Sequence, residues 1–221
     1  MSSVPNERTH PRWNSVWNAG ISVGQAFDTG TPSPALIEEL RRGRVPKGRA
    51  LVPGCGRGYD VYALASPDRQ VIGIELADGA IEAATNCPTK DSCVDLSNAI
   101  FTKGDFFQLD ELKKFDFIYD YTFLCALDPS IRNDWARKMG SLLTPGGILM
   151  TLIFPIVEEK EGGPPFKVNL KLLEELLLPQ GFEKLECRLL PPELCHPGRG
   201  DGNSNGPVSG ALSGIGRWKK L

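Results

Sequence analysis

Apolar residues run along this chain in short dense blocks separated by amphipathic stretches, and that alternation sets the expected fold. Residues 50–52 read as a buried strand cut by Pro53 and Gly54, and 70–76 as a second strand. Residues 99–102, 115–119, 148–154 and 182–190 follow as strands three to six. Between them, 60–65, 78–86, 130–143 and 169–178 carry helical patterns, with a turn at Pro145-Gly146-Gly147. Strands alternating with helices imply βαβ units and a mainly parallel sheet. Runs such as Val71-Ile72-Gly73-Ile74 are continuously apolar, as strands covered on both faces are. Upstream, 34–42 reads as a helix with Ser33 as its N-cap and Pro34 at its first position.

The ends of the pattern are less regular. Residues 1–12 form a polar arm. Residues 13–30 are aromatic, with Trp13, Trp17 and Phe27, but have no clean helical or strand period. Residues 197–214, rich in Gly, Ser, Asn and Pro, predict a flexible surface loop, not a linker. The residues after it, Ile215 to Trp218, predict a last strand beside the sixth. The whole reads as one domain over 1–221.

Charge narrows the function classes. Twenty-five Lys and Arg against 27 Asp and Glu leave a net charge of −2. No global basic field exists to hold nucleic acid or an anionic membrane. The local clusters Arg41, Arg42, Arg44 and Arg217, Lys219, Lys220 read as solvated surface. The longest apolar run, 148–157, is too short to span a bilayer, and the N-terminus has no apolar signal core. A soluble, cytoplasmic, monomeric protein is expected. Six cysteines form no CxxC pair, and His10 and His196 lie far apart in sequence. Neither a metal site nor a disulfide framework is expected, and the thiols read as small buried hydrophobes.

The candidate chemistry sits at Leu51-Val52-Pro53-Gly54-Cys55-Gly56-Arg57-Gly58-Tyr59-Asp60, which runs from a strand through three glycines into a helix. Such a turn lets backbone approach a ligand closely, because no Cβ intervenes. The dinucleotide fingerprint fails, since position 59 is Tyr where that pattern needs Gly. The phosphate-cradling loop fails too, for want of a Lys-Ser/Thr after the turn. A ligand without phosphate, with an amino-acid end, a ribose and an adenine, fits Gly54, Gly56 and Gly58: S-adenosylmethionine (SAM). Three further residues stand at successive strand ends, where open α/β sheets bind ligands. Glu75 could accept from both ribose hydroxyls. Asp105 could accept from the adenine amino group while Phe106 covers the ring. Asp120 follows at the end of the fourth strand. Each residue also has a plain structural use, as tight turn, helix cap or turn residue.

With these residues in place, the chain resembles the thiopurine methyltransferase superfamily. Within it, the chain is most similar to the plant and fungal thiol/halide (thiocyanate) methyltransferases. The likeness rests on Trp13-x-x-x-Trp17-x-x-Gly20, Leu51 to Gly56, Phe115-Asp116-Phe117-Ile118-Tyr119-Asp120-Tyr121, Gly162-Gly163-Pro164-Pro165-Phe166-Lys167-Val168, and Gly216-Arg217-Trp218-Lys219-Lys220. It implies a class I SAM-dependent, Rossmann-like fold with seven strands, the last antiparallel. It implies that residues 1–30 form an arm and a lid over the cofactor, with Trp13, Trp17 and Phe27 around SAM. It implies Arg132 near the acceptor, with Tyr121 and Phe166 as pocket walls. Phe27 and Phe166 depart from the Trp and Tyr that plant relatives tend to carry, and Val52 stands where many SAM enzymes have an acid.

The resemblance implies methyl transfer from SAM, leaving S-adenosylhomocysteine, to a small soft nucleophile such as a thiol, hydrosulfide, thiocyanate or halide. The methyl donor brings its own activation, so the protein must mainly position the reactants and exclude water. An O- or N-methyltransferase of a larger metabolite and a non-catalytic SAM-binding protein stay open at this point. A nucleic-acid methyltransferase is disfavoured by charge, and by Asp120-Tyr121-Thr122-Phe123 where an Asp/Asn-Pro-Pro-Tyr/Phe would be expected.

Overall fold

The computed structural model describes residues 12–25, 27–86, 96–110, 112–202 and 208–221. Most of the polar arm, Cys87, Cys93 and the centre of the glycine-rich loop lie outside the described residues.

Seven strands form one sheet: β1 (Gly48–Pro53), β2 (Arg69–Glu75), β3 (Ala99–Lys103), β4 (Phe115–Tyr121), β5 (Leu143–Ile156), β6 (Phe182–Leu189) and β7 (Leu212–Lys220). Their order is β3-β2-β1-β4-β5-β7-β6. The first five pair in parallel, and β7 runs antiparallel to both β5 and β6. The last strand does pair with the sixth, as its position suggested, but it also reaches β5 and so lies inside the sheet. Among the described residues six helices, α1 (Arg12–Asn18), α2 (Pro34–Arg41), α3 (Tyr59–Leu64), α4 (Asp78–Thr85), α5 (Arg132–Leu142) and α6 (Leu170–Leu177), complete the α/β architecture.

Strand alternation sorts the core into two layers. Ile118, Leu149 and Ile153 face Trp135 and Met139 of α5 and Leu173 and Leu177 of α6. Their neighbours Phe117, Tyr119 and Met150 face Leu36 of α2 and Val61 and Leu64 of α3. A void in place of the fully buried Trp135 would cost about 3–5 kcal/mol. α2 starts as its sequence demands: the Ser33 side chain accepts from the Leu36 N–H, and Pro34 needs no partner for a missing N–H.

Four departures from the sequence pattern have physical reasons. Arg12–Asn18 is helical although it shows no amphipathic period, because it needs to bury chiefly Trp17, which packs on Ala77 and Ala80. β5 begins at Leu143, so the strand takes in the Pro-Gly-Gly turn. The glycine-rich segment is not uniformly a surface loop: Gly200 accepts from the Ser213 N–H, Asp201 bridges Leu212, and Leu212–Gly214 belong to β7. Arg44 and Arg217 are not merely solvated; both reach the buried carboxylate of Glu39, at 3.1 and 3.7 Å.

β1 has β2 on one side and β4 on the other, so the strand order reverses there. In open α/β sheets a crevice forms at such a switch, beyond the carboxyl ends of the strands.

Candidate functional site

A cavity of about 430 Å³ opens at the carboxyl ends of β1, β2 and β4, within the size range of small-molecule sites. Its floor is the turn after β1. Gly56 has φ +52°, and a Cβ there would meet Trp17 at 3.5 Å, so any side chain would occupy the space between turn and lid. The Gly56 N–H donates to Glu75 Oε2 at 3.1 Å. The other carboxylate oxygen of Glu75 accepts from the N–H groups of Leu76 and Ala77 at 2.7 and 3.3 Å. Burial raises the Glu75 pKa, and these three amide bonds only partly oppose it. A carboxylate offers about four acceptor positions, so capacity remains toward the cavity.

Beside it, Asp105 caps the short 3₁₀ turn Phe106–Gln108 through the Phe107 N–H, at 2.9 Å. Phe106 is buried and meets Phe107 and Phe123 edge to face. Thr122, at the end of β4, has φ +63°, a costly conformation for a β-branched residue. Such strain persists where surrounding structure enforces it, often at functional sites.

An aromatic lid covers the turn. Phe27 lies 5.1 Å from Trp13 and 5.6 Å from Trp17, ring to ring, in both cases edge to face. The lid is fastened by Asp28, whose carboxylate accepts from Arg57 Nε at 2.7 Å, from Tyr59 Oη at 3.1 Å, and from the N–H groups of Gly24 and Gly30. Burial alone would raise the Asp28 pKa; the bonds from Arg57, Gly24, Gly30 and Tyr59 outweigh it and leave it lowered. Arg57 also donates to the Ile21 carbonyl and lies 5.7 Å from the Trp17 ring.

On the far side, Tyr121 lines the cavity and stacks on His196, with ring centroids 5.6 Å apart and planes 4° apart. Its hydroxyl lies 2.9 Å from His196 Nδ1. Arg199, three residues on, also lines the cavity and donates to the Asp28 carbonyl at 3.0 Å. Asp60 completes this wall; it accepts from the Ser33 N–H, and burial pushes its pKa up to about 7.

The structure thus brings Trp13, Trp17, Phe27, Gly54, Gly56, Glu75, Asp105, Phe106 and Tyr121 to one cavity. It places four other sequence candidates elsewhere. At Gly58 a Cβ would stand 2.5 Å from the Phe101 ring, so this glycine serves close packing and the φ of +79° that starts α3. Asp120 points away from Tyr121, as alternation requires, and accepts from Trp135 Nε1 at 2.8 Å and the Leu124 N–H at 3.2 Å. Arg132 is buried and donates to the Lys167 carbonyl. Phe166 lies against Gly163 and donates its N–H to the Cys125 carbonyl, while Pro164 and Pro165 supply the cavity wall instead.

Asp28, Arg57, Asp60, Thr122, His196 and Arg199 were not foreseen as site residues. Thr122 stands out only by its φ; each of the others has a partner distant in sequence, and no local spacing marks it. The one available signal was Arg57 inside the glycine turn. Among the described residues no group of three or more His, Cys, Asp or Glu could hold a metal ion. Among the same residues no helix is long and apolar enough to cross a membrane.

A family model described as thiopurine S-methyltransferase matches residues 8–189. The chain is 42% identical over 218 residues to "Probable thiol methyltransferase 2" of Arabidopsis thaliana, covering 97% of this chain and 87% of that one. It is 36% identical over 209 residues to "Thiocyanate methyltransferase 1" of Brassica oleracea, covering 95% and 84%. Among solved structures, a SAM-dependent methyltransferase from Methanosarcina mazei superposes with a TM-score of 0.63 at 20% identity, covering 82% of this chain and 97% of that one. That likeness speaks for the fold.

Proposed function

The chain belongs to the thiopurine S-methyltransferase family, and on that premise we propose that its cavity binds SAM over Gly54 and Gly56 and presents the methyl group to a small sulfur nucleophile or halide on the Tyr121 side. The cradle suits this ligand. Gly56 leaves open the space a Cβ would fill, and Glu75 presents an acceptor carboxylate beside it. Trp17 lays an aromatic ring over the same turn, a surface attractive to a cation. When bound, SAM supplies an activated methyl group on a positively charged sulfur.

The protein's own residues do the rest. Glu75 accepts from the ribose hydroxyls with its remaining acceptor positions. Asp105 and Phe106 receive the adenine. Trp13, Trp17 and Phe27, tied down by the Asp28–Arg57 pair, exclude water from above. Excluding water and fixing the approach of two reactants supplies most of what a displacement at carbon needs.

The acceptor is a thiol, hydrosulfide, thiocyanate or halide; the two plant relatives are named for a thiol and for thiocyanate. The net charge of −2 supports a small acceptor rather than a nucleic acid. The four described cysteines carry free thiols, which supports a reducing compartment such as the cytoplasm. We take the 221 residues as one domain acting as a monomer. The observation that carries the reading is the Glu75 carboxylate bonded to the Gly56 N–H beneath Trp17. Incubation with SAM and a panel of thiols, hydrosulfide, thiocyanate and iodide, followed by mass spectrometry, is expected to yield methylated products with S-adenosylhomocysteine. Methylation of none of them overturns the reading.

A further inference from the structure

Through Tyr121, the stacked Tyr121–His196 pair links the cavity wall to a buried base that the methyl-transfer reading leaves unused. His196 is buried, and its two ring nitrogens have different partners. Nε2 lies 3.2 Å from the Thr31 carbonyl oxygen. A carbonyl can only accept, so Nε2 carries the hydrogen in the neutral ring. Nδ1 is then the lone-pair nitrogen, and the Tyr121 hydroxyl, 2.9 Å away, donates to it. The Tyr121 oxygen keeps its own lone pairs, and Tyr121 lines the cavity. Nothing in the pair's geometry requires the other tautomer.

We propose that Tyr121 and His196 form a proton relay that removes the proton of a neutral thiol acceptor during methyl transfer. This rests on the reading of the cavity as an S-methyltransferase site. The acceptor S–H bond breaks as its sulfur bonds to the methyl carbon, and the electron pair of the severed bond to the methyl stays with the donor's sulfur. The thiol proton goes to the Tyr121 oxygen, and the hydroxyl proton goes to His196 Nδ1. The imidazolium so formed donates through Nε2 to Thr31 and later releases one proton to water. Thiocyanate and halides carry no proton and need none of this. His196 acts only through Tyr121.

The titratable and charged groups facing the pair are Asp60 from α3, Cys125 from the turn after β4, and Cys195 and Arg199 from the segment that carries His196. Burial first, and then Arg199, lower the His196 pKa, so the ring is neutral and able to accept at neutral pH.

Two variants test the relay. Tyr121→Phe keeps the ring and removes the hydroxyl. His196→Asn keeps an oxygen that can accept from Tyr121 but is not a base. The measured quantity is kcat/KM for an alkyl thiol divided by kcat/KM for thiocyanate. At pH 6.5 this ratio is expected to fall at least about tenfold in both variants, given that general bases contribute about 10²–10⁴-fold. With a thiol of cysteine-like pKa, about 8.5, the defect is expected to fade by pH 9.5, where that thiol ionises unaided. Independently of turnover, nitrogen-15 NMR of the unaltered protein is expected to show His196 protonated at Nε2. An unchanged ratio, an equal defect at both pH values, or the Nδ1–H tautomer overturns the relay. A protein that methylates thiocyanate and thiols with an unchanged ratio in the variants loses only the relay. One that methylates none of the acceptors loses the parent reading as well.

Discussion

The carboxylate of Asp28 and the guanidinium of Arg57 meet at 2.7 Å and bind the aromatic lid to the glycine turn. The Asp28 side chain is 1% exposed, and its four donors come from the lid, the turn and α3. Removing one partner of a buried ion pair strands the other. Asp28→Ala is therefore expected to destabilise the protein by about 3–5 kcal/mol in urea denaturation. It is also expected to weaken SAM, because the lid loses its fastening. A loss below about 1 kcal/mol would show that the lid is held elsewhere.

Glu75 ties the end of β2 to the glycine turn, and its ribose role is open to test. Glu75→Gln keeps the shape but turns one acceptor into a donor that faces a backbone N–H. Hydrogen bonds to a charged group contribute about 1.5–3 kcal/mol. The Kd for SAM is thus expected to rise roughly tenfold to a hundredfold by calorimetry. An unchanged Kd removes Glu75 from the ribose role.

The glycines of the turn are expected to separate by function. Gly58→Ala drives a methyl into the Phe101 ring at an unfavourable φ, so it should cost stability, about 1–3 kcal/mol. Its effect on SAM affinity should be slight. Gly56→Ala carries backbone strain too, at φ +52°, but meets only an ordinary contact with Trp17 and places a methyl inside the cavity. It should lose SAM affinity out of proportion to its melting temperature. Equal behaviour of the two variants would contradict this division.

Asp60 gives the fold a pH dependence. Burial raises its folded pKa from the usual 3.8 to about 7. Across that window the native state holds more protons than the unfolded one, so stability falls as pH rises and levels off above it. Asp60→Asn keeps an acceptor for the Ser33 N–H but cannot ionise. Its melting temperature is expected to decline less between pH 5 and 8 than that of the unaltered protein. Parallel curves would place Asp60 in contact with water.

Asp120→Ala leaves buried donors unpaired, among them Trp135 Nε1 and the Leu124 N–H. The expected loss is about 1–3 kcal/mol per stranded group, with altered Trp135 fluorescence and near-normal SAM affinity. A large loss of affinity at unchanged stability would return Asp120 to the cavity.

Much of this was legible in the chain because buried parallel strands are densely apolar, as the interior strands β1, β2, β4 and β5 largely are. The glycine turn and Glu75 were legible for a related reason, since both are consecutive features of one strand, turn and strand. Legibility stopped where a role depends on which way a side chain points. Asp120 and Tyr121 are neighbours, and one pleat sends the first to Trp135 and the second to the cavity. Gly58 fits the glycine spacing, but the space beside it is filled by Phe101, which arrives from β3. The His196–Tyr121 contact spans 75 residues and the Arg57–Asp28 contact 29. No local pattern encodes either.

The place of β7 bears on how the chain is made. Of the seven strands it is the last to leave the ribosome, yet it stands between β5 and β6. Until it emerges, β6 has no neighbour and β5 exposes a bare rim to which other nascent chains could adhere. Synthesis that stalls within the glycine-rich segment would strand the protein at that vulnerable stage, with the glycine turn already made and the sheet unfinished.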